Sequence, residues 1–173
     1  DDVVSPIDVP AHTNSAMDSY AMNGADLAAD AETRLAVVGT AAAGRPYDGE
    51  VSAGECVRIM TGASLPPGTD TVVMQENVVR DGETAVIGAG QAPGQHVRQA
   101  GEDIAAGDVA LAAGTRLMPA ELGMLASLGV GEVRVRRRPR VAFFSTGDEL
   151  RPVGESLAPG QIYDSNRYTI YGM

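Results

Sequence analysis

Several loops of this chain place chemistry-capable side chains beside turn-forming residues. Asp18 sits in Asn14-Ser15-Ala16-Met17-Asp18-Ser19-Tyr20-Ala21, and Thr61 follows an apolar run in Arg58-Ile59-Met60-Thr61-Gly62-Ala63. Glu102 and Asp103 come just after Arg98 and Gly101, and Asp148 and Glu149 close Ser145-Thr146-Gly147-Asp148-Glu149. A loop carboxylate is first of all a solvated or turn-capping group. As a set, however, these carboxylates and a hydroxyl suit Mg²⁺, which binds carboxylate and water oxygens and works beside phosphates. Thr61 offers a hydroxyl donor next to Gly62, a combination that suits an oxyanion contact. Glu149 also fits as a carboxylate at a helix N-terminus.

The remaining inventory is sparse. His12 and His96 lie far apart and outside any HExxH spacing, and His12 reads as a capping or surface residue. Cys56 is the one cysteine, so neither a disulfide framework nor a cysteine-built zinc site is available. Alternating with Arg58 and Met60 on one strand face, it reads as a buried apolar thiol.

The elements that must position these residues fall into two kinds. Val3-Val4, Ile7 and Val9 form a short extended segment punctuated by Pro6 and Pro10, and residues 11–23 show neither helical nor strand period. Short β-like runs then alternate with turns: Leu35–Val38, Cys56–Met60, Thr71–Gln75 and Thr84–Ile87. Few aromatics, 21 Gly and 10 Pro favour such turns and strands over a helix bundle. The composition then changes. Pro119 opens a predicted helix that Gly129 closes, with Met118, Leu122, Leu125 and Leu128 as its apolar stripe. After Arg137-Arg138-Pro139-Arg140 comes Val141-Ala142-Phe143-Phe144, an unbroken run suited to a strand buried on both faces of a parallel sheet. A polar loop at such a strand's C-terminal end is where open α/β sheets bind ligands.

The expected fold is therefore mixed α+β. A β-rich barrel- or sandwich-like domain spans 13–97, a helix-containing linker domain spans 1–12 and 98–136, and an α/β domain starts at 137–173. The run at 141–144 calls for a sheet that 173 residues do not contain, and the chain opens at Asp1 without Met, so truncation is expected.

Net charge is −10, with no Lys among the 13 basic residues. Residues 1–133 hold 6 Arg against 19 acids, a net −13, whereas 134–173 hold 7 Arg against 4 acids, a net +3. The acidic balance argues against a nucleic-acid or membrane-surface binder. No apolar run approaches the ~18 residues of a membrane span, and the expectation is a cytoplasmic protein. The arginines at 134, 136, 137, 138 and 140 read as a solvated hinge.

The motifs resemble the MoeA/gephyrin family of molybdopterin molybdenumtransferases. The resemblance rests on the Asp18 and Thr61 segments, Val72-Val73-Met74-Gln75-Glu76, Arg98 with Gly101-Glu102-Asp103-Ile104, and Leu125-Ala126-Ser127-Leu128-Gly129. It continues through Ser145-Thr146-Gly147-Asp148-Glu149-Leu150 and Gly160-Gln161-Ile162-Tyr163-Asp164-Ser165-Asn166, in family order along nearly the whole chain. It implies Mg²⁺-dependent insertion of molybdenum from molybdate into adenylyl-molybdopterin, with release of AMP. It also implies a homodimer with an active site shared across the interface. Asp18, Thr61, Asp103 and Glu149 would be catalytic, and Asp148 and Glu149 would hold the metal. Ser15, Gly62, Ser145, Thr146, Gly147 and Asn166 would contact substrate. The family usually has an acidic residue where Thr13 stands and Gly where Ser19 stands, so Ser19 is expected to lose positive-φ freedom. The resemblance also implies an absent N-terminal helical segment and an absent remainder of the α/β domain, so this polypeptide alone is expected not to insert molybdenum. Rival readings are a gephyrin-like scaffold and a dimerisation module without catalysis.

Overall fold

The computed structural model describes residues 1–173 and divides into two compact units, Asp1–Val133 and Arg134–Met173. It is mostly β. In chain order the first unit contains β1 (Val3–Val4), β2 (Asn14–Ser15), β3 (Ser19–Met22), β4 (Thr33–Ala41), β5 (Glu55–Ile59) and β6 (Thr71–Met74). It continues with β7 (Val78–Asp81), β8 (Thr84–Ile87), β9 (Val97–Arg98), β10 (Val109–Leu111) and helix α1 (Pro119–Ser127). The second unit holds β11 (Leu150–Arg151), β12 (Ile162–Tyr163) and helix α2 (Ser165–Gly172).

The core of the first unit is a six-stranded sheet in the order β6-β3-β5-β4-β8-β7, antiparallel except for β4 with β5. Both faces are largely buried at β3, β5 and β6, whereas β4 exposes Arg34, Ala36, Val38 and Thr40 and β7 is mostly exposed. Tyr20, Met22, Leu35, Cys56, Val73, Ala85 and Ile87 form one apolar cluster. Ala21, Ala41, Val51, Val57, Ile59, Ala63 and Val72 form the other. Neighbours in sequence, such as Cys56 and Val57 or Val72 and Val73, belong to opposite clusters, which is why these strands read as continuous apolar runs.

The same two-sided burial explains a correction. Residues 11–23 show no strand period, yet Ser19–Met22 is an inner strand with all four residues buried. Alternation is a signal of strands with one wet face, and β3 has none. Ser19 is extended strand backbone, and His96 is the one non-glycine residue with positive φ, so no left-handed freedom is lost at position 19.

The long strand β4 serves both clusters by means of a bulge. Val37 lies opposite Cys56, but Gly39 lies opposite Val57, so Val38 is the extra residue. Leu35 therefore packs in the first cluster and Ala41 in the second. Gly39 is required by close approach, because a Cβ there would lie 2.4 Å from the Tyr47 ring.

Around this sheet sit two-residue ladders, β1 with β10 and β2 with β9. Helix α1 begins with Pro119 in its first turn, Glu121 accepts from the Met118 backbone N–H, and Gly129 follows its end at φ +70°. Its predicted stripe is half realised: Leu125 and Leu128 are buried, whereas Met118 and Leu122 are exposed.

In the second unit Val141–Phe144 does not form a strand. Val141 and Phe144 are 77% and 87% exposed. A doubly buried parallel strand needs hydrogen-bonded neighbours and covering helices. Residues 134–173 supply one two-residue parallel pair, β11 with β12, and one helix.

Candidate active site

Topology alone brings the first group of residues together. Strand β3 runs antiparallel to both β5 and β6, and Ser19 lies opposite Ile59 on one side and Met74 on the other. The residue just before β3 is thereby set beside the residues just after β5 and β6. Those residues are Asp18, Met60-Thr61 and Gln75.

The contacts follow from that placement. Asp18 Oδ1 accepts from the Thr61 backbone N–H at 2.8 Å and from Thr61 Oγ1 at 2.8 Å. The Gln75 backbone N–H donates to the Asp18 carbonyl at 3.2 Å. These bonds to Thr61, the backbone one foremost and then the hydroxyl, hold the Asp18 carboxyl below its ordinary value of 3.8; the Arg58 charge adds to them, and desolvation opposes. Asp18 is therefore ionised, its Oδ1 committed to Thr61. A carboxylate held in this way is a good partner for a cation or a hydrogen-bond donor. Both donors of Thr61 are spent on Asp18, so its hydroxyl offers lone pairs outward rather than the donor expected for an oxyanion contact.

The loop is braced from beneath. Ser15 is buried, and its hydroxyl donates to the Met17 carbonyl at 2.7 Å while accepting from the Met17 N–H at 3.3 Å. Its side chain is thus turned inward to shape the turn that carries Asp18. The Gly62 N–H donates to the Ser15 carbonyl at 2.8 Å, and the Ser15 N–H donates to the Ala63 carbonyl at 3.0 Å. Gly62 has φ +79° with open space where a Cβ would stand, so backbone conformation and not crowding selects glycine there.

Strand β2 connects this loop to a second group, because Asn14 lies opposite Arg98 and Ser15 opposite Val97. Arg98 Nε pairs with Glu102 Oε1 at 2.5 Å and Nη2 with Asp103 Oδ2 at 2.6 Å. Glu102 Oε2 also accepts from the Gln99 N–H at 2.8 Å. The hydrogen bond to Arg98, and next the Gln99 backbone, lower the Glu102 pKa, and the same pairing raises that of Arg98. Asp103 is thus held by an arginine in an exposed, solvent-screened cluster. Thr13 Oγ1 reaches Gln99 Oε1 at 3.4 Å.

The second unit presents its motif differently. Ser145, Thr146, Gly147, Asp148 and Glu149 are all exposed. The Glu149 carboxylate curls back over Gly147, and the Gly147 carbonyl accepts from the Leu150 N–H at 3.2 Å. Asn166 lies exposed in the first turn of α2, after Asp164, whose carboxylate caps the helix by accepting from the Arg167 N–H at 3.2 Å. No three His, Cys, Asp or Glu side chains gather as a metal-binding group.

A family model of the MoeA N-terminal region, domains I and II, matches residues 1–129. The chain belongs to the MoeA family. Among its relatives, a molybdopterin molybdenumtransferase of Haemophilus influenzae is 46% identical over 171 residues, which cover 98% of this chain and 42% of the relative. Molybdopterin molybdenumtransferase 2 of Mycobacterium tuberculosis is 40% identical over 168 residues, 95% of this chain and 42% of the relative. The crystal structure of a molybdopterin biosynthesis MoeA protein from Pyrococcus horikoshii OT3 matches with a TM-score of 0.90 at 33% identity, over 99% of this chain and 46% of that one. The chain thus spans less than half the length of these MoeA relatives.

Two further residues at the site, Arg58 and Gln75, lie within the motifs and have no role that the sequence alone predicts. Arg58 Nη1 donates to the Ser19 carbonyl at 2.8 Å, and its Nη2 donates to Gln75 Oε1. Their signal was position: each sits at or next to the end of a strand that borders β3.

Proposed function

We propose that this chain is the N-terminal part of a molybdopterin molybdenumtransferase. The reaction is insertion of molybdenum from molybdate into adenylyl-molybdopterin, with Mg²⁺ required and AMP released. Residues 137–173 begin the α/β domain that carries the ligand edge, and 1–136 provide the β-rich and linker domains. The functional unit is a cytoplasmic homodimer in which the Asp18–Thr61 pair of one subunit completes the site of the other.

The observation that carries this reading is the Asp18–Thr61 pair: an ionised carboxylate, held by two donors at a sheet end, in a chain 46% identical to a molybdenumtransferase. Phosphate and molybdate are anions, so Asp18 serves them through a cation or through a donor that it orients. Asp148 and Glu149 are adjacent exposed carboxylates with no third acidic or histidine ligand. That donor set fits Mg²⁺, which takes one or two carboxylates and fills its shell with water and substrate phosphate. When bound there, Mg²⁺ would neutralise phosphate charge and polarise the P–O bond that breaks. Asp103 stays paired with Arg98 until substrate draws the arginine or the carboxylate to itself.

A chimera tests the reading. The chain replaces the matching segment of the Haemophilus influenzae relative, and AMP release from adenylyl-molybdopterin is followed. The expected result is release that needs both molybdate and Mg²⁺, with none from the 173-residue chain alone. A folded chimera without activity, beside an active parent, contradicts the proposal.

A further inference from the structure

We propose that Arg58 is a positioning residue: its guanidinium brackets the ends of β3, β5 and β6, and thereby fixes Asp18 against Thr61. The inference rests on reading the Asp18–Thr61 pair as part of the functional site.

The bracket starts on β5, contacts β3 at Ser19 and Tyr20, and reaches Gln75, the residue after β6. Arg58 stems from β5, three residues before Thr61. Its Nη1 donates to the carbonyl of Ser19, the residue after Asp18, at 2.8 Å. Its Nη2 donates to the side chain of Gln75, whose own backbone N–H donates to the Asp18 carbonyl. The guanidinium lies over the Tyr20 ring, 5.2 Å from its centroid, and Tyr20 is the direct cross-strand partner of Arg58. A planar fork with fixed donor directions can hold two acceptors and stack on a ring together, which an ammonium cannot do.

Arg58 is held differently from Arg34 and Arg98. Arg34 and Arg98 form ion pairs, Arg34–Asp81, Arg98–Glu102 and Arg98–Asp103. Arg58 sits instead on a carbonyl, an amide and a ring, all within two residues of Asp18 or bonded to it. Its positive charge faces the carboxylate that Thr61 holds. Two further charged groups lie near the bracket: Glu76, which accepts from Gln75 Nε2 at 3.3 Å, and Arg80, which lines the same surface depression as Arg58 and Tyr20. Arg58 therefore acts on Asp18 in two ways, by geometry through Ser19 and Gln75 and by charge through space.

The test is the carboxyl ¹³C titration of Asp18 by NMR in the 173-residue chain, in the wild type, Arg58→Met, Arg58→Lys and Thr61→Ala. Asp18 is expected to titrate higher in Arg58→Met than in the wild type. Thr61→Ala should move it further, and Arg58→Lys should fall between Arg58→Met and wild type, because it keeps the charge and loses the fork. Arg34→Met, which removes an arginine from the outer part of the sheet, should leave Asp18 unmoved. In the active chimera, Arg58→Met is expected to lower kcat roughly 10- to 100-fold, the range that a displaced catalytic group costs, with Arg58→Lys intermediate. If Arg58→Met does not fold, Arg58→Lys carries the test. A wild-type Asp18 titration in folded Arg58 variants overturns the bracket and leaves the proposed function standing. A shifted titration with activity indifferent to Asp18→Ala supports the bracket and overturns the functional reading.

Discussion

The two units treat similar residues in opposite ways. In the first, Asp18 and Thr61 come from segments 43 residues apart and are joined by two hydrogen bonds. In the second, Asp148 and Glu149 are neighbours in sequence, and both are exposed on a loop. The first pair exists because β3 runs antiparallel between β5 and β6, which sets its start beside their ends. The second pair exists because the residues are adjacent. Preorganisation therefore comes from the sheet, and a motif outside such a frame presents carboxylates without fixing their geometry.

The sharpest way to break this comparison is to remove side chains from each unit. Ile59 is fully buried at the end of β5, two residues from Thr61. Ile59→Ala should cost about 2–5 kcal/mol in urea unfolding, and it should loosen the Asp18–Thr61 pair with it. Phe144 is 87% exposed, and Phe144→Ala should stay within about 0.5 kcal/mol. A large loss at Phe144 would show that the second unit has a core that includes it.

A smaller effect is expected at Gly62. Its φ of +79° is a left-handed conformation, so Gly62→Ala should cost about 1–2 kcal/mol despite the open space around it. Comparing it with Gly39→Ala, where a Cβ meets the Tyr47 ring, separates conformational from steric demand.

Much of this was legible in the sequence. Thr84–Ile87 was read with its observed bounds, and the strands at 35–38, 56–60 and 71–75 fell within a few residues of β4, β5 and β6. Pro119 and Gly129 marked the ends of α1 because each has a conformational reason to be there. What escaped were elements that have no periodic signature. Ser19–Met22 is buried on both faces and opens with Ser19 and Tyr20, so it looked irregular. Asn14–Ser15 and Val97–Arg98 are two-residue strands whose ladder joins segments more than 80 residues apart. The opposite error occurred at Val141–Phe144, where an apolar run has no strand partner. At the site, Asp18 and Thr61 carried a motif, whereas Arg58 and Gln75 required the strand order. Ser15 was expected to face substrate, but its hydroxyl closes the turn beneath Asp18.

The Asp18 ionisation gives a finer test. Its folded pKa lies below 3.8, chiefly through the Thr61 N–H, so it contributes stability that is present above that value. That contribution is lost as pH falls through the lower folded value. Thr61→Ala removes the hydroxyl bond and keeps the backbone one. The variant should therefore lose part of this contribution at neutral pH and show a shallower acid limb when stability is followed against pH. An acid limb identical to wild type would mean that the hydroxyl does not bear on the ionisation.

The smallest effect concerns Cys56. Burial pushes its thiol up to about 12 and seals it within the first cluster. A thiol reagent should leave the native chain unmodified and label it fully in denaturant. Labelling under native conditions would place the opening of the sheet within easy thermal reach.

We propose that the Asp18–Thr61 pair, built by the sheet, is needed for this chain's share of the reaction. The most direct measurement is molybdate- and Mg²⁺-dependent AMP release by the chimera carrying Asp18→Asn, which keeps the shape and removes the charge. A fall of about 10²-fold or more is predicted, with the fold and the second unit intact. AMP release at the unsubstituted chimera's rate would contradict the claim.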